Sequence, residues 1–177
     1  FKTVIENGAT GIMSAHLNVP ALTGDKTPTS LSVKALKELV RDQWGYKGLI
    51  FTDGMEMKGI TKYYGCGASA RMAVQAGNDV LELLGDPAEG IDSIYAAVKK
   101  GQIDKKQLEE SVRRILAIKY YVGLNEYKPT RTWGMVADVN SPENALLIRK
   151  MTEATLTCLK NDEMLPYELS MMETDSL

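Results

Sequence analysis

Lys47-Gly48-Leu49-Ile50-Phe51-Thr52-Asp53 is the stretch on which the fold turns. A glycine turn leads into three consecutive apolar residues, and the run closes on polar ones. That pattern belongs to a strand buried on both faces, as in parallel sheets covered by helices on each side. Upstream, Ser32 is placed to cap a helix over residues 33–44, with Leu36, Leu39 and Val40 on one face and Lys34, Lys37, Glu38 and Arg41 expected in water. Gly45 ends that helix. A loop rich in Pro, Thr, Gly and Asp occupies residues 18–30, after a short apolar strand expected over 10–17. Before it, residues 1–7 read as the last turns of a helix stopped at Asn7-Gly8.

Downstream the alternation continues. Residues 69–75 are expected to be helical and to close at Ala76-Gly77, leading into a third strand over 79–84. Pro87 sits where a first helical turn tolerates it, residues 91–99 carry an apolar face, and Asp104 caps a longer helix through Leu108, Val112, Ile115 and Ile118 that ends at Gly123. Helices alternating with strands in this order describe an α/β protein with parallel strands. Three strands cannot close a barrel of eight, so the chain is expected to be the later part of a larger barrel or sheet. Residues 125–141, with Tyr127-Lys128-Pro129 and Trp133-Gly134, read as a linker. A second unit is expected over 142–177: a helix opened by Ser141-Pro142, a short strand near 155–160, and a fraying end over 167–177.

Composition narrows the functional classes. The chain has 177 residues, 44% hydrophobic and 25% charged, which suits a globular fold with a real core. Lys and Arg number 21 against 23 Asp and Glu, a formal charge of -2 without a basic run, which argues against capture of nucleic acid or an anionic membrane. Apolar runs reach only about five residues, far from the ~20 of a membrane span, and no charged-then-apolar leader precedes them. Cys66 and Cys158 lack metal-ligand spacing, so the reading includes neither a zinc site nor a disulfide framework, and no metal or organic cofactor is implied. A single histidine excludes any mechanism that needs a histidine pair within these residues.

In parallel α/β folds, functional side chains collect at the carboxyl ends of strands. The strand ends here offer His16, Asp53, and Glu82 or Asp86. Asp53 stands at the rim of an apolar floor, where a nucleophile or general base must reach substrate; the plainer alternative is a cap or a solvated loop carboxylate. Two other classes compete. A receiver-type signalling domain would phosphorylate such an aspartate, but it needs an acidic pair after a first strand and a lysine after a late one, and neither is evident. A non-catalytic binding domain could keep the same architecture.

Residues 39–57, Leu-Val-Arg-Asp-Gln-Trp-Gly-Tyr-Lys-Gly-Leu-Ile-Phe-Thr-Asp-Gly-Met-Glu-Met, resemble the nucleophile signature of family 3 glycoside hydrolases. Ile12-Met13-Ser14-Ala15-His16 is similar to that family's preceding barrel strand, and Ala76-Gly77-Asn78-Asp79 to the following one. Residues 144–166 resemble the opening of the α/β sandwich domain that often follows the barrel. The resemblance implies an incomplete (β/α)8 TIM-type barrel, its last three or so βα units filling residues 1–124, then the linker and the truncated start of a second domain. It implies a retaining glycosidase in which Asp53 attacks the anomeric carbon and forms a covalent glycosyl-enzyme. Members of the β-glucosidase type tend to place Trp directly after this Asp, whereas the N-acetylglucosaminidase type tends toward Thr/Ser-Asp-x-x-x-Met. Thr52-Asp53 with Met57 fits the second, although Gly54 stands where Asp or Ala is more usual. The expected partner is therefore a carbohydrate, a β-linked N-acetylglucosamine-type glycoside, together with the remainder of the barrel.

The resemblance also implies a His with a neighbouring Asp as acid/base, in a Lys-His…Gly-His type motif on an earlier loop. That motif is absent from these residues. His16 belongs to a later element and is assigned instead to pocket lining or substrate support. Glu56 and Met57 are the remaining candidate substrate-binding residues, Glu56 read chiefly as solvated and Met57 chiefly as packing beneath the site. Tyr63 and Tyr64 are read as packing residues.

Overall fold

The computed structural model describes residues 1–162 and residue 165. They fall into two compact units, the first Phe1–Tyr127 and the second beginning at Lys128.

In the first unit, helix α1 (Lys2–Glu6) is stopped by Gly8 at φ +89, a left-handed conformation that glycine adopts without a Cβ clash, and strand β1 (Gly11–Ser14) follows. A short helix α2 (Pro20–Thr23) and a 3₁₀ turn (Thr29–Leu31) lie in the loop before helix α3 (Lys34–Gln43). The Ser32 hydroxyl accepts from Ala35 N–H at 3.3 Å, the cap expected from sequence. Helix α3 is wound as a π-helix rather than an α-helix, with i→i+5 bonding such as Trp44 N–H to the Leu39 carbonyl at 2.9 Å.

Strand β2 (Leu49–Thr52) pairs in parallel with β1, Gly11 opposite Leu49 and Ser14 opposite Thr52. Ile50 is fully buried and packs with Ala35, Leu36, Val40, Tyr46 and Ala76. The sheet thus rests on α3 through its apolar face, the arrangement that the run Leu49-Ile50-Phe51 requires.

The third strand does not form as expected over 79–84. Only Val80 makes a bridge, parallel to Phe51. Beyond it, Glu82 N–H is donated to the Thr52 side chain at 3.0 Å and Leu83 turns to φ +49, so the extended backbone ends. After α4 (Lys58–Thr61) come α5 (Cys66–Ala76), α6 (Pro87–Lys99) and α7 (Lys105–Tyr121). The Asp86 carboxylate accepts from Glu89 N–H at 3.0 Å and that of Asp104 from Lys106 N–H at 3.0 Å. Asp86 is therefore a helix cap and not a strand-end candidate.

Arg41 corrects the reading of α3, for it is turned inward and not toward water. Its guanidinium bonds the carboxylate of Asp79, whose side chain is fully buried, and donates to the carbonyls of Tyr46 at 3.1 Å and Gly48 at 2.6 Å. Arg114 and Ser111 of α7 bond the other Asp79 oxygen, and Ile50 N–H donates to the first at 2.8 Å. One carboxylate joins α3, β2 and α7 at the end of β2 opposite Asp53.

In the second unit, α8 (Met135–Val139) lies within the stretch expected as linker, and α9 (Pro142–Thr155) is capped by Ser141, whose hydroxyl accepts from Asn144 N–H at 3.2 Å. The strand expected near 155–160 does not form among the described residues, where no second segment offers it a ladder of hydrogen bonds. The fraying end expected over 167–177 lies outside the described residues.

Candidate active site

Asp53 follows directly on Thr52, the last residue of β2, and its backbone N–H donates to the Ser14 carbonyl at 2.9 Å, so it leaves the sheet alongside β1. Its side chain is half-buried, and Oδ1 accepts the Gly54 N–H at 2.8 Å. The residues that carry it are buried: Thr52 and Ile50 fully, and Met55 nearly so. A carboxylate held at one oxygen by an amide can approach an electrophilic carbon with its other oxygen.

The next peptide is held from three directions. The Gly54 carbonyl accepts His16 Nε2 at 3.0 Å and Met57 N–H at 3.0 Å, while Met55 N–H donates to the Glu82 carbonyl at 2.9 Å. A carbonyl can only accept, so His16 Nε2 carries the proton; in the neutral ring Nδ1 then accepts from the Ser30 hydroxyl at 2.7 Å. Ser30 is fully buried, and its carbonyl accepts from Asn78 Nδ2 at 2.8 Å. Asn78 in turn takes the Ser14 hydroxyl at 2.7 Å on Oδ1 and donates to the Ala73 carbonyl at 2.8 Å. These buried polar groups are fully partnered, which is what makes such a network rigid.

His16 and Asp53 are therefore brought together through Gly54, not through direct contact. Glu56 is exposed and Met57 is 48% exposed, whereas Met55 is the methionine packed beneath the strand end, against Leu31, Ile60 and Ala73. The packing expected of Met57 thus falls on Met55, whose N–H is tied to Glu82 while the turn swings Met57 outward. Glu82 is exposed and contributes backbone groups only. Tyr64 packs against the core, while Tyr63 is 68% exposed beneath Lys62. A cavity of about 380 Å³ opens beside His16, lined also by Asn18, Lys26, Tyr63 and Tyr64; Asp53 does not line it. Among the described residues no group of three or more His, Cys, Asp or Glu gathers as a metal site, and no helix is long and apolar enough to cross a membrane. Ser14, Ser30 and Asn78 carry no catalytic signature in sequence. Their lengthy separations along the chain hide the network that supports Asp53.

The model of the glycosyl hydrolase family 3 N-terminal domain matches residues 1–118. The chain belongs to glycosyl hydrolase family 3. Among its relatives is a β-N-acetylglucosaminidase/β-glucosidase of Cellulomonas fimi, 23% identical over 92% of this chain and 30% of that protein. A β-hexosaminidase of Nitrosomonas eutropha is 34% identical over 49% of this chain and 24% of its own length. Among solved structures, a family 3 β-N-acetylglucosaminidase from Paenibacillus superposes over 91% of this chain and 31% of its own, at 30% identity and a TM-score of 0.81. The architecture is thus the TIM-barrel-like α/β fold of a family 3 N-terminal domain, and the chain spans about a third or less of the length of these relatives.

Proposed function

We propose that this family 3 chain carries the nucleophile, Asp53, of a retaining β-N-acetylhexosaminidase. The observation that carries the reading is the position of the Asp53 carboxylate, half-exposed at the carboxyl end of β2 with one oxygen bound to the Gly54 amide. In the first step its other oxygen bonds to the anomeric carbon as the glycosidic C–O bond breaks, and an acid protonates the departing oxygen. In the second, water deprotonated by that same group attacks the anomeric carbon and releases Asp53.

The names of the relatives support a β-linked N-acetylglucosamine glycoside as substrate, with a β-glucoside as the second reading, which the dual name of the Cellulomonas enzyme also carries. The proposal includes the domain plan: residues 1–124 as the later part of an incomplete barrel, 125–141 as linker, and 142–177 as the start of a sandwich domain. The proton donor then belongs to polypeptide beyond these residues, and the 177-residue chain alone is inactive, since loss of acid catalysis costs about 10²–10⁴-fold. Met57 and Glu56 stand near the sugar only as proposed lining residues, whereas His16, also expected there, has both ring nitrogens bonded to the protein.

In the full-length protein, Asp53→Ala is expected to lower turnover of a nitrophenyl β-N-acetylglucosaminide by roughly 10⁴-fold, the scale of losing one member of a catalytic set. Azide should restore turnover by attacking the anomeric carbon in place of the carboxylate, giving the α-glycosyl azide. Unchanged turnover in the variant would sink the assignment, and faster wild-type hydrolysis of the β-glucoside would transfer it to the second reading.

A further inference from the structure

We propose that His16 is a positioning residue for Asp53, holding the turn whose amide binds the carboxylate; this rests on the nucleophile reading above. The ring spends both nitrogens on the protein, Nε2 on the Gly54 carbonyl at 3.0 Å and Nδ1 on the Ser30 hydroxyl at 2.7 Å. Neither nitrogen is left to bind a sugar hydroxyl without breaking one of those bonds. What His16 holds is one residue from the carboxylate. Gly54 offers its N–H to Asp53 Oδ1 and its carbonyl to His16, so a shift in that carbonyl turns the residue and carries the amide with it.

The anchor behind His16 is rigid. Ser30 is fully buried and its backbone is tied to Asn78, which is tied to Ser14 of β1, the strand beside β2. The imidazole thus connects the scaffold of β1 and its following loop to the turn after β2. The opposite side of the turn is held by the Met55 N–H to Glu82 carbonyl bond. With His16 removed, one of the tethers is lost and the Asp53 carboxylate gains freedom to swing, while the surface that meets the sugar elsewhere is unchanged.

The test uses the full-length protein and a 5-fluoro N-acetylglucosaminyl fluoride, which accumulates the glycosyl-enzyme. A misplacement of about 1 Å at reacting groups costs on the order of 10²-fold, so His16→Ala should slow the labelling rate constant by about that factor while affinity for the inhibitor changes little. His16→Gln, which keeps a terminal N–H donor, should recover most of the loss. Labelling by His16→Ala at the wild-type rate would overturn the inference. So would loss of rate and affinity together, or a Gln variant no better than Ala, since either describes general loosening. Should His16→Ala fail to fold, Ser30→Ala removes the Nδ1 partner alone. It should slow labelling roughly tenfold at unchanged affinity, about the 1.4 kcal/mol of one hydrogen bond, and a wild-type rate there overturns the inference. Wild-type protein labelled at a residue other than Asp53 would instead refute the nucleophile reading itself.

Discussion

At Gly48 an added Cβ would lie 2.6 Å from the Thr10 carbonyl oxygen and well inside contact distance of the Tyr46 hydroxyl. At Gly54 the nearest atom to such a Cβ is Leu83 Cδ1, at 3.4 Å, an ordinary contact, and the backbone is not left-handed there. These two glycines flank the strand that aims Asp53, yet only the first is imposed by space. Gly48→Ala should destabilise the chain by about 1–3 kcal/mol or more, because Tyr46 and the backbone at Thr10 must move apart. Gly54→Ala should be neutral or stabilising by up to about 1 kcal/mol, through lost freedom in the unfolded chain. Urea denaturation of both variants checks the pair, and equal effects would contradict the packing described. The same contrast marks what was legible at this scale. The strand-end aspartate shows in sequence because apolar residues run directly into it. The reason Gly54 departs from the commoner Asp or Ala does not show, and the structure offers no steric cause for it.

Among the elements, β1, β2 and the helices that flank them are legible because each carries a local signal: Ser32 and Asp104 at helix starts, Gly8 at a stop, three apolar residues in β2. Arg41 is not legible, because its partner Asp79 is distant in sequence and a charge on a helix normally faces water. The third strand fails for a related reason, since Glu82 and Leu83 are diverted by Thr52 and by backbone turning that no periodicity records. Tyr46, between α3 and β2, converts this packing into a pH dependence. Burial pushes its phenol above the ordinary value, and the hydroxyl donates to the Leu49 carbonyl at 3.2 Å. An unfolded tyrosine releases its proton near pH ~10. Above that pH the folded chain still holds a proton that the unfolded chain has lost, so stability present below pH ~10 declines as pH rises through the folded value. Tyr46→Phe should flatten this alkaline limb while costing about 0.5–1.5 kcal/mol at neutral pH. Urea midpoints measured from neutral to alkaline pH test this; identical alkaline slopes in the two proteins would contradict it.

For the whole molecule, the first unit leaves apolar side chains in solvent. Met13 of β1 is 55% exposed, and on α6 and α7 Ile91, Tyr95 and Leu116 are each more than half exposed. Such faces and an open strand edge promote association. The 177-residue chain is therefore expected to elute as concentration-dependent oligomers, checked by size-exclusion chromatography with light scattering; a monodisperse monomer at all concentrations would contradict the incomplete-barrel proposal. The family is legible in the sequence because residues 39–57 join a helix end, a buried strand and its carboxylate in one short stretch. The supporting network was not, for Ser14, Ser30 and Asn78 meet only when β1 and β2 lie side by side. The most direct test of the central claim is peptide mass spectrometry after the full-length protein reacts with a 5-fluoro N-acetylglucosaminyl fluoride. The account predicts a single added sugar on the peptide containing Asp53, absent in Asp53→Ala; a sugar attached to any other residue would contradict it.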